Sequence, residues 1–176
     1  SLIVMGCGAV GVEFASVYSR FGAETTIVEL LPSIVPLEDE EISKELERSF
    51  RKRGIKSLVD TKLDKLEKTE TGVRVSGHTS KGDAVTLEAE MLLVAVGRMP
   101  YTEGLGLEGT KIKVERGFVQ VDEYQQTGEK GVYAIGDVVP TPLLAHLASK
   151  EGIVAVEHMA GKKDVRPINL RLVPNC

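Results

Sequence analysis

The sequence predicts an α/β fold in which a parallel sheet carries an antiparallel β-meander and is followed by a second, shorter part. Two observations predict this class. Segment 2–59 alternates continuous apolar runs with stretches of helical period, in the strand-helix-strand-helix-strand order that builds a right-handed parallel sheet. Segment 62–87 instead alternates polar and apolar residues around turn sequences, which indicates antiparallel strands.

The elements of the parallel sheet follow in chain order. Leu2 to Met5 is a continuous apolar run that ends at glycine, as expected for a strand buried on both faces. Apolar residues then recur at helical period over Ala9 to Phe21, which predicts a helix. Glu24 to Val28 is a second strand, and the acidic start and basic end of the stretch from Glu38 to Arg53 predict a second helix. Ile55 to Val59 is the third strand.

The meander and a further strand come next. The meander is predicted over Lys62 to Thr69, Val73 to Ser76 and Ala84 to Leu87. Glu90 to Val96 returns to a continuous apolar run, which predicts a buried strand that ends at Gly97 on the ligand-facing edge of the parallel sheet.

The second part begins near Gly117 with short alternating strands. The stretch "VYAIGDVV", Val132 to Val139, is predicted to be an apolar strand that runs into a glycine and delivers the carboxylate of Asp137. A helix is expected from about Leu143 to Met159.

Composition excludes several classes of partner. The chain has 176 residues, 42% hydrophobic and 27% charged, which predicts a soluble chain of one or two domains. The net charge is −4 and basic residues alternate with acids along Glu38 to Lys68, so neither nucleic acid nor an anionic membrane is expected to bind. The apolar runs are far shorter than the roughly 20 residues that cross a bilayer. We expect a cytoplasmic protein.

The cysteines and the chain ends add two expectations. Cys7 and Cys176 are too few for a disulfide framework, a CxxC pair or a zinc site, so each is interpreted as a small apolar filler. No metal ligands are proposed. The first strand starts at the second residue without an initiator Met, and the last residues follow an apolar alternation directly, which suggests a fragment of a longer protein.

The stretch "GCGAVG" fits the pattern G-x-G-x-x-G between a strand and an amphipathic helix, a Rossmann-like context. Gly6 would make the tight turn, Gly8 would let the backbone approach a pyrophosphate, and Gly11 would let the helix pack close to the strand. The amides of Ala9, Val10 and Gly11 would then face the anion at the helix N-terminus. The alternative is a turn that needs glycine only for its geometry.

Glu29 ends the second strand 18 residues after Gly11, where a carboxylate can accept hydrogen bonds from both hydroxyls of a ribose. A 2′-phosphate would meet like charge there, and the stretch "LLPSIVPLEDEE" holds no base to neutralise it, so NAD is favoured over NADP. An ordinary solvated acid is the alternative. Glu13 is placed in the first helical turn, where the dipole alone would favour an acid.

Three segments resemble the pyridine nucleotide-disulfide oxidoreductases, and together they cover almost the whole chain. "GCGAVGVEFASVYSRFG" with "TTIVEL" is similar to the family's NAD-binding motif, and "LLVAVGRMP" to the strand that leads out of that domain. "GVYAIGDVV" with "PLLAHLASKEG" is similar to its second flavin-binding motif, and "LLAH" favours the lipoamide branch. The resemblance implies an NAD-binding domain over 1–116 and the later part of an FAD-binding domain over 117–176.

The resemblance also implies roles for individual residues. Asp137 would bond the ribitol of FAD, although the residues alone leave a turn or N-cap role equally open. Glu13 would lie near the nicotinamide and the flavin. The resemblance also implies that Glu29, Leu63 and Gly97 line the NAD site. It further implies that the backbone of Leu143, Leu144, Ala145 and His146 approaches the isoalloxazine of the flavin.

The function implied for the full-length protein is oxidation of dihydrolipoamide, with hydride passing between FAD and NAD. That protein would be a homodimer and a component of a 2-oxoacid dehydrogenase complex. The redox cysteine pair, the first flavin motif and the acid/base His-Glu pair are not matched, so this chain is expected to be inactive alone. His78 is interpreted as a surface residue of a hairpin and His158 as part of a helix face. Tyr101 stands where many members of the family have Asn after "GRxP". The alternatives are a mercuric reductase, NADH oxidase or transhydrogenase type, and a non-catalytic dinucleotide-binding module.

Overall fold

A computed structural model describes residues 1–174, and Cys176 lies outside them. The chain forms two compact units, the first over Ser1–Gly97 and the second from Arg98 onward. The strands are β1 (Leu2–Met5), β2 (Thr25–Val28), β3 (Lys56–Leu58), β4 (Thr61–Lys68), β5 (Val73–Thr79), β6 (Ala84–Ala89), β7 (Met91–Val94), β8 (Val114–Glu115) and β9 (Phe118–Val119). The helices are α1 (Ala9–Arg20), α2 (Glu40–Lys52) and α3 (Ala145–Met159).

The predicted α/β class is confirmed. The first unit holds a parallel sheet with the strand order β3-β2-β1-β7 and an antiparallel sheet with the order β4-β5-β6. The charge pattern that predicted the second helix is present in α2, with Glu40 and Glu41 in its first turn and Arg51 and Lys52 in its last. Asp39 also caps this helix by accepting a hydrogen bond from Glu41 N at 2.8 Å. The domain limits 1–116 and 117–176 remain a prediction.

The parallel sheet is buried on both faces near β1. Leu2 and Val4 belong to one cluster, with α1 and α2 residues such as Phe50, and Ile3 belongs to a second cluster with Val75 of the meander. Alternate residues of a strand point to opposite faces, so β1 contributes to both layers. Each such side chain contributes about 1.5–3 kcal/mol through burial, which explains why this run is continuously apolar.

The prediction of a buried strand over 90–96 is wrong in part. β7 joins the parallel sheet as expected, by pairing with β1, but Met91 is 57% exposed and Val94 is 59% exposed. The cause is its place at the edge of the sheet, where β1 is its only strand neighbour among the described residues. Periodicity predicted the strand correctly but could not predict how much of it other elements would cover.

In the second unit, the strand predicted at Val132 to Val139 is also wrong. Tyr133 forms a single bridge with Gln126, and residues Gly136–Val138 form a 3-10 turn. A strand needs a continuous hydrogen-bonded neighbour, and the described residues supply that pairing on one side only. Helix α3 begins two residues later than predicted.

No helix within residues 1–174 has the length and apolar character that a bilayer crossing requires.

Candidate functional site

The candidate nucleotide site lies at the carboxyl ends of the parallel strands. From β1 the chain moves outward to β2 and β3, and it returns through β7 on the other side of β1. The strand order therefore reverses between β1 and β7. A reversal of this kind leaves a crevice outside the carboxyl ends of the two strands, where ligands of open α/β sheets bind.

The turn after β1 requires glycine at two positions. Gly6 has a φ of +94°, and a Cβ placed on it would lie 2.5 Å from the carbonyl oxygen of Ala95. A Cβ on Gly11 would lie 2.1 Å from the carbonyl oxygen of Gly6. Side chains at either position would collide with backbone, so these glycines bring β1, α1 and the end of β7 into close contact.

Gly8 is exposed at the start of α1 and serves as its N-cap residue. The first helical bond runs from Val12 N to the carbonyl oxygen of Gly8 at 3.1 Å, and no side chain caps the helix. The amides of Ala9, Val10 and Gly11 therefore have no acceptor within the helix. A Cβ on Gly8 would meet no atom within 4 Å, so the space beside this residue is open. This arrangement suits an anion.

Glu29 follows β2 directly and is held against the glycine turn. Its Oε2 accepts a hydrogen bond from Cys7 N, and its Oε1 accepts one from Leu31 N, each at 2.9 Å. A carboxylate has about four acceptor positions, so both oxygens can still accept from a ligand. The half-buried side chain thus lies beside the turn, and the two amide donors that orient it were not foreseen from the sequence.

Cys7 lies within the glycine turn but points into the core. It is fully buried, and its Sγ lies 3.7 Å from the carbonyl oxygen of Ser33. Burial, together with the neighbouring Glu29 carboxylate, raises the pKa of the thiol to about 12. Because the thiolate is the reactive form, Cys7 is an inert packing residue, as its sequence context predicted.

The other residues expected in this unit occupy different surroundings. α1 begins at Ala9 and has no acid in its first turn, so Glu13 lies in the second turn and the predicted dipole stabilisation there is wrong. The Glu13 side chain is exposed. Leu63 packs half-buried against the cluster of Ile3 and its neighbours, and Gly97 is exposed after β7 with a φ of +117°.

In the second unit, Asp137 lies in the 3-10 turn and Arg98 fixes it. Arg98 Nη1 donates to Asp137 Oδ2 at 3.0 Å, and its Nη2 donates to the carbonyl oxygen of Leu143 at 3.2 Å. Leu144 precedes α3 as its N-cap residue without a side-chain cap. The structure therefore brings Asp137 and the start of α3 together around one guanidinium group, and sequence reasoning had assigned no role to Arg98.

Helix α3 begins with Ala145, and His146 is exposed there with Nε2 lying 3.0 Å from the carbonyl oxygen of Pro174. Farther along the same helix, sequence reasoning also missed Glu151, which is completely buried. Its position four residues after the buried Leu147 places it on the inner face of the helix, and that spacing was the available signal.

The remaining histidines lie apart from these groups. His78 is on β5, and its Nδ1 lies 2.7 Å from Asp64 Oδ2. The pKa of Asp64 is lowered mainly by its hydrogen bond and charge pair with Lys62, and to a smaller extent by His78. His158 stacks on Tyr124 at a centroid distance of 4.7 Å and its Nδ1 lies 2.8 Å from the Tyr133 hydroxyl. His158 is therefore a partly buried packing residue of the second unit.

Comparison with known proteins agrees with the motifs. A family model described as pyridine nucleotide-disulphide oxidoreductase matches residues 1–152. The chain is 43% identical over 176 residues to a dihydrolipoyl dehydrogenase of Rhizobium etli, covering all of this chain and 37% of the relative.

Two solved structures are similar to the chain. LpdA from Mycobacterium tuberculosis matches with a TM-score of 0.87 and 35% identity, over 98% of this chain and 37% of that one. The HOCl-induced flavoprotein disulfide reductase RclA from Escherichia coli matches with a TM-score of 0.84 and 29% identity, over 94% of this chain and 37% of that one. The chain thus spans little more than a third of the length of these relatives.

Proposed function

The chain belongs to the pyridine nucleotide-disulphide oxidoreductase family, and from that premise we propose that it is the NAD-binding portion of a flavin-dependent dihydrolipoyl dehydrogenase. The observation that carries the proposal is the open, uncapped start of α1 with the anchored Glu29 carboxylate beside it. The higher identity to the Rhizobium etli enzyme than to the disulfide reductase favours this branch of the family.

The first unit would hold NAD through two contacts. The amides of Ala9, Val10 and Gly11 would donate to the pyrophosphate, and Gly8 would let the phosphates come close. The ribose hydroxyls of the adenosine would donate to the remaining acceptor positions of Glu29. A 2′-phosphate would place like charge against that carboxylate, so NADP would bind more weakly.

Three further residues complete the proposed NAD site, namely Glu13, Leu63 and Gly97. The backbone at Gly97 is exposed at the carboxyl end of β7, which is the edge where the glycine turn also lies. Glu13 is exposed on α1, one turn beyond the amide donors. We assign these residues to the site by their family positions, and the NAD-binding domain to residues 1–116.

The later part of the FAD-binding domain is proposed for residues 117–176. The Asp137 carboxylate would accept hydrogen bonds from the ribitol hydroxyls, and the backbone from Leu143 to His146 would approach the isoalloxazine. Leu144 N already donates to the carbonyl oxygen of Pro142 at 2.8 Å, so the amides of Ala145 and His146 at the uncapped start of α3 would be the donors to the flavin. When both are bound, FAD and NAD supply the hydride chemistry. The residues of this chain would bind and orient the two cofactors.

For the full-length protein we propose oxidation of dihydrolipoamide by a cytoplasmic homodimer within a 2-oxoacid dehydrogenase complex. The described part of this chain contains one cysteine, the buried Cys7, which cannot provide a redox pair. We therefore expect the 176-residue chain to bind NAD and to show no lipoamide-dependent NADH formation in a stopped-flow assay.

Isothermal titration of the 176-residue chain with NADH and with NADPH tests the proposal. NADH is expected to bind at least ten-fold more tightly, since one unfavourable charge contact of about 1.4 kcal/mol gives that factor. Circular dichroism of the same sample would establish that the chain is folded. Equal binding of both nucleotides, or no binding by the folded chain, would overturn the proposal.

A further inference from the structure

The turn that carries Asp137 is bonded at both ends to one buried carboxylate. Gly136 N donates to Glu151 Oε2 at 2.7 Å, and Thr141 Oγ1 donates to Glu151 Oε1 at 2.7 Å. Glu151 is fully buried on the inner face of α3. A buried carboxylate is costly unless its oxygens are hydrogen-bonded, so these two donors stabilise both the acid and the turn.

The turn also lies directly on α3. A Cβ on Gly136 would lie 3.5 Å from the Ala148 Cβ, and a Cβ on Gly152 would lie 3.3 Å from Ile135 Cδ1. The face of α3 against the turn therefore carries two small residues, Ala148 and Gly152, together with the carboxylate of Glu151. Two small neighbours bring the backbone close enough for the short bonds to Glu151.

Asp137 is the next residue after Gly136, so the orientation of the Gly136 peptide determines where the Asp137 carboxylate points. Gly136 has a φ of +74°, and Val139 N bonds back to its carbonyl oxygen at 3.0 Å. Arg98 holds the Asp137 side chain itself. The backbone of the turn is thus held by Glu151 and the side chain by Arg98, through separate contacts.

We propose that Glu151 is a positioning residue, whose carboxylate clamps the turn from Gly136 to Thr141 and so sets Asp137 for contact with the polyol of the flavin. The flavin part of this inference rests on the proposed function. The clamp itself rests only on contacts within the second unit.

Amide hydrogen exchange by NMR on the 176-residue chain tests the clamp. Glu151→Gln keeps the size of the side chain and removes its charge: the glutamine Oε1 can still accept from Gly136 N, and its NH₂ group can donate to Thr141 Oγ1. Glu157→Gln on the same helix is the matched control, because the exposed Lys162 is the charged partner of Glu157 within the described residues. In Glu151→Gln, the Gly136 amide should exchange about five- to ten-fold faster, because a hydrogen bond to a neutral acceptor is weaker than one to a charged acceptor. The Val154 amide within α3 should keep its rate.

Thr141→Val is the second variant, since it removes one donor and leaves the carboxylate in place. It should accelerate exchange at Gly136 by a smaller factor than Glu151→Gln does. Unchanged exchange at Gly136 in both variants would overturn the proposal. Equal acceleration at Gly136 and Val154 would also overturn it, because Glu151 would then be a general core residue.

Titration of the same proteins with FAD, followed by flavin fluorescence, separates the clamp from the proposed function. The wild-type chain and Glu157→Gln should bind FAD alike, and Glu151→Gln should bind it at least several-fold more weakly. If no variant binds FAD while Gly136 still exchanges faster in Glu151→Gln, the clamp stands and the flavin role of Asp137 fails.

Discussion

Replacing Glu29 by glutamine tests the nucleotide site most directly, because the side chain keeps its size and loses its charge. Glu29 accepts one bond from Cys7 N and one from Leu31 N, both at 2.9 Å. A glutamine amide has a single acceptor oxygen. Its NH₂ group would therefore face one of these two N–H donors, and one hydrogen bond would be lost.

The magnitudes follow from these contacts. A hydrogen bond to a charged group contributes about 1.5–3 kcal/mol; because Glu29 is only half-buried, we expect Glu29→Gln to lower the free energy of unfolding by about 1–2 kcal/mol. Weaker acceptance of the ribose hydroxyls should reduce NADH affinity about ten-fold. NADPH should lose less, since the like-charge contact with its 2′-phosphate also disappears.

The assay is isothermal titration of wild type, Glu29→Gln and Glu24→Gln with each nucleotide, with urea unfolding alongside. Glu24 is a matched control because it lies before β2, at the opposite end of the strand, and its exposed pair with Lys56 contributes little. The ratio of NADH to NADPH affinity should fall in Glu29→Gln alone. An unchanged ratio, or an equal fall in Glu24→Gln, would refute the reasoning.

Two further predictions concern the glycine turn and the buried thiol. Gly11→Ala should lower the free energy of unfolding by about 2 kcal/mol or more through overpacking, because its Cβ would lie 2.1 Å from the Gly6 carbonyl oxygen; Gly8→Ala should leave urea unfolding nearly unchanged and weaken NADH binding, and equal stability losses would contradict this. Burial raises the pKa of Cys7 from 9.0 to about 12, so the unfolded chain releases that proton first and stability falls as pH rises from about 9 towards 12. Urea unfolding at several pH values should show this loss in wild type and a smaller one in Cys7→Ala; identical pH profiles would count against the raised pKa.

Several features of the fold were predictable because they depend on local pattern. The continuous apolar run of β1, the helical period of α1 and the glycine spacing between them predicted a strand, a turn and a helix N-terminus. The position of Glu29 after β2 predicted which edge of the sheet it would occupy. Each of these signals depends on residues that lie within about twenty positions of one another in the chain.

Other features depended on partners that are distant in sequence. The exposure of β7 was decided by its place at the sheet edge, and the stretch before Asp137 is not a strand because its pairing is limited to one bridge. Neither of these outcomes changes the local hydrophobic pattern, so that pattern could not reveal them.

The amino-acid sequence by itself determined the order of elements, the glycine turn and the acid at the end of β2. Only the tertiary structure decided that Glu29 would be held by two amides of other residues, and that Glu151 would be buried with a bond to each end of the 136–141 turn. The physical reason is that periodicity places a side chain on a face of its own element, whereas its hydrogen-bond partners are set by which other segments fold against that face.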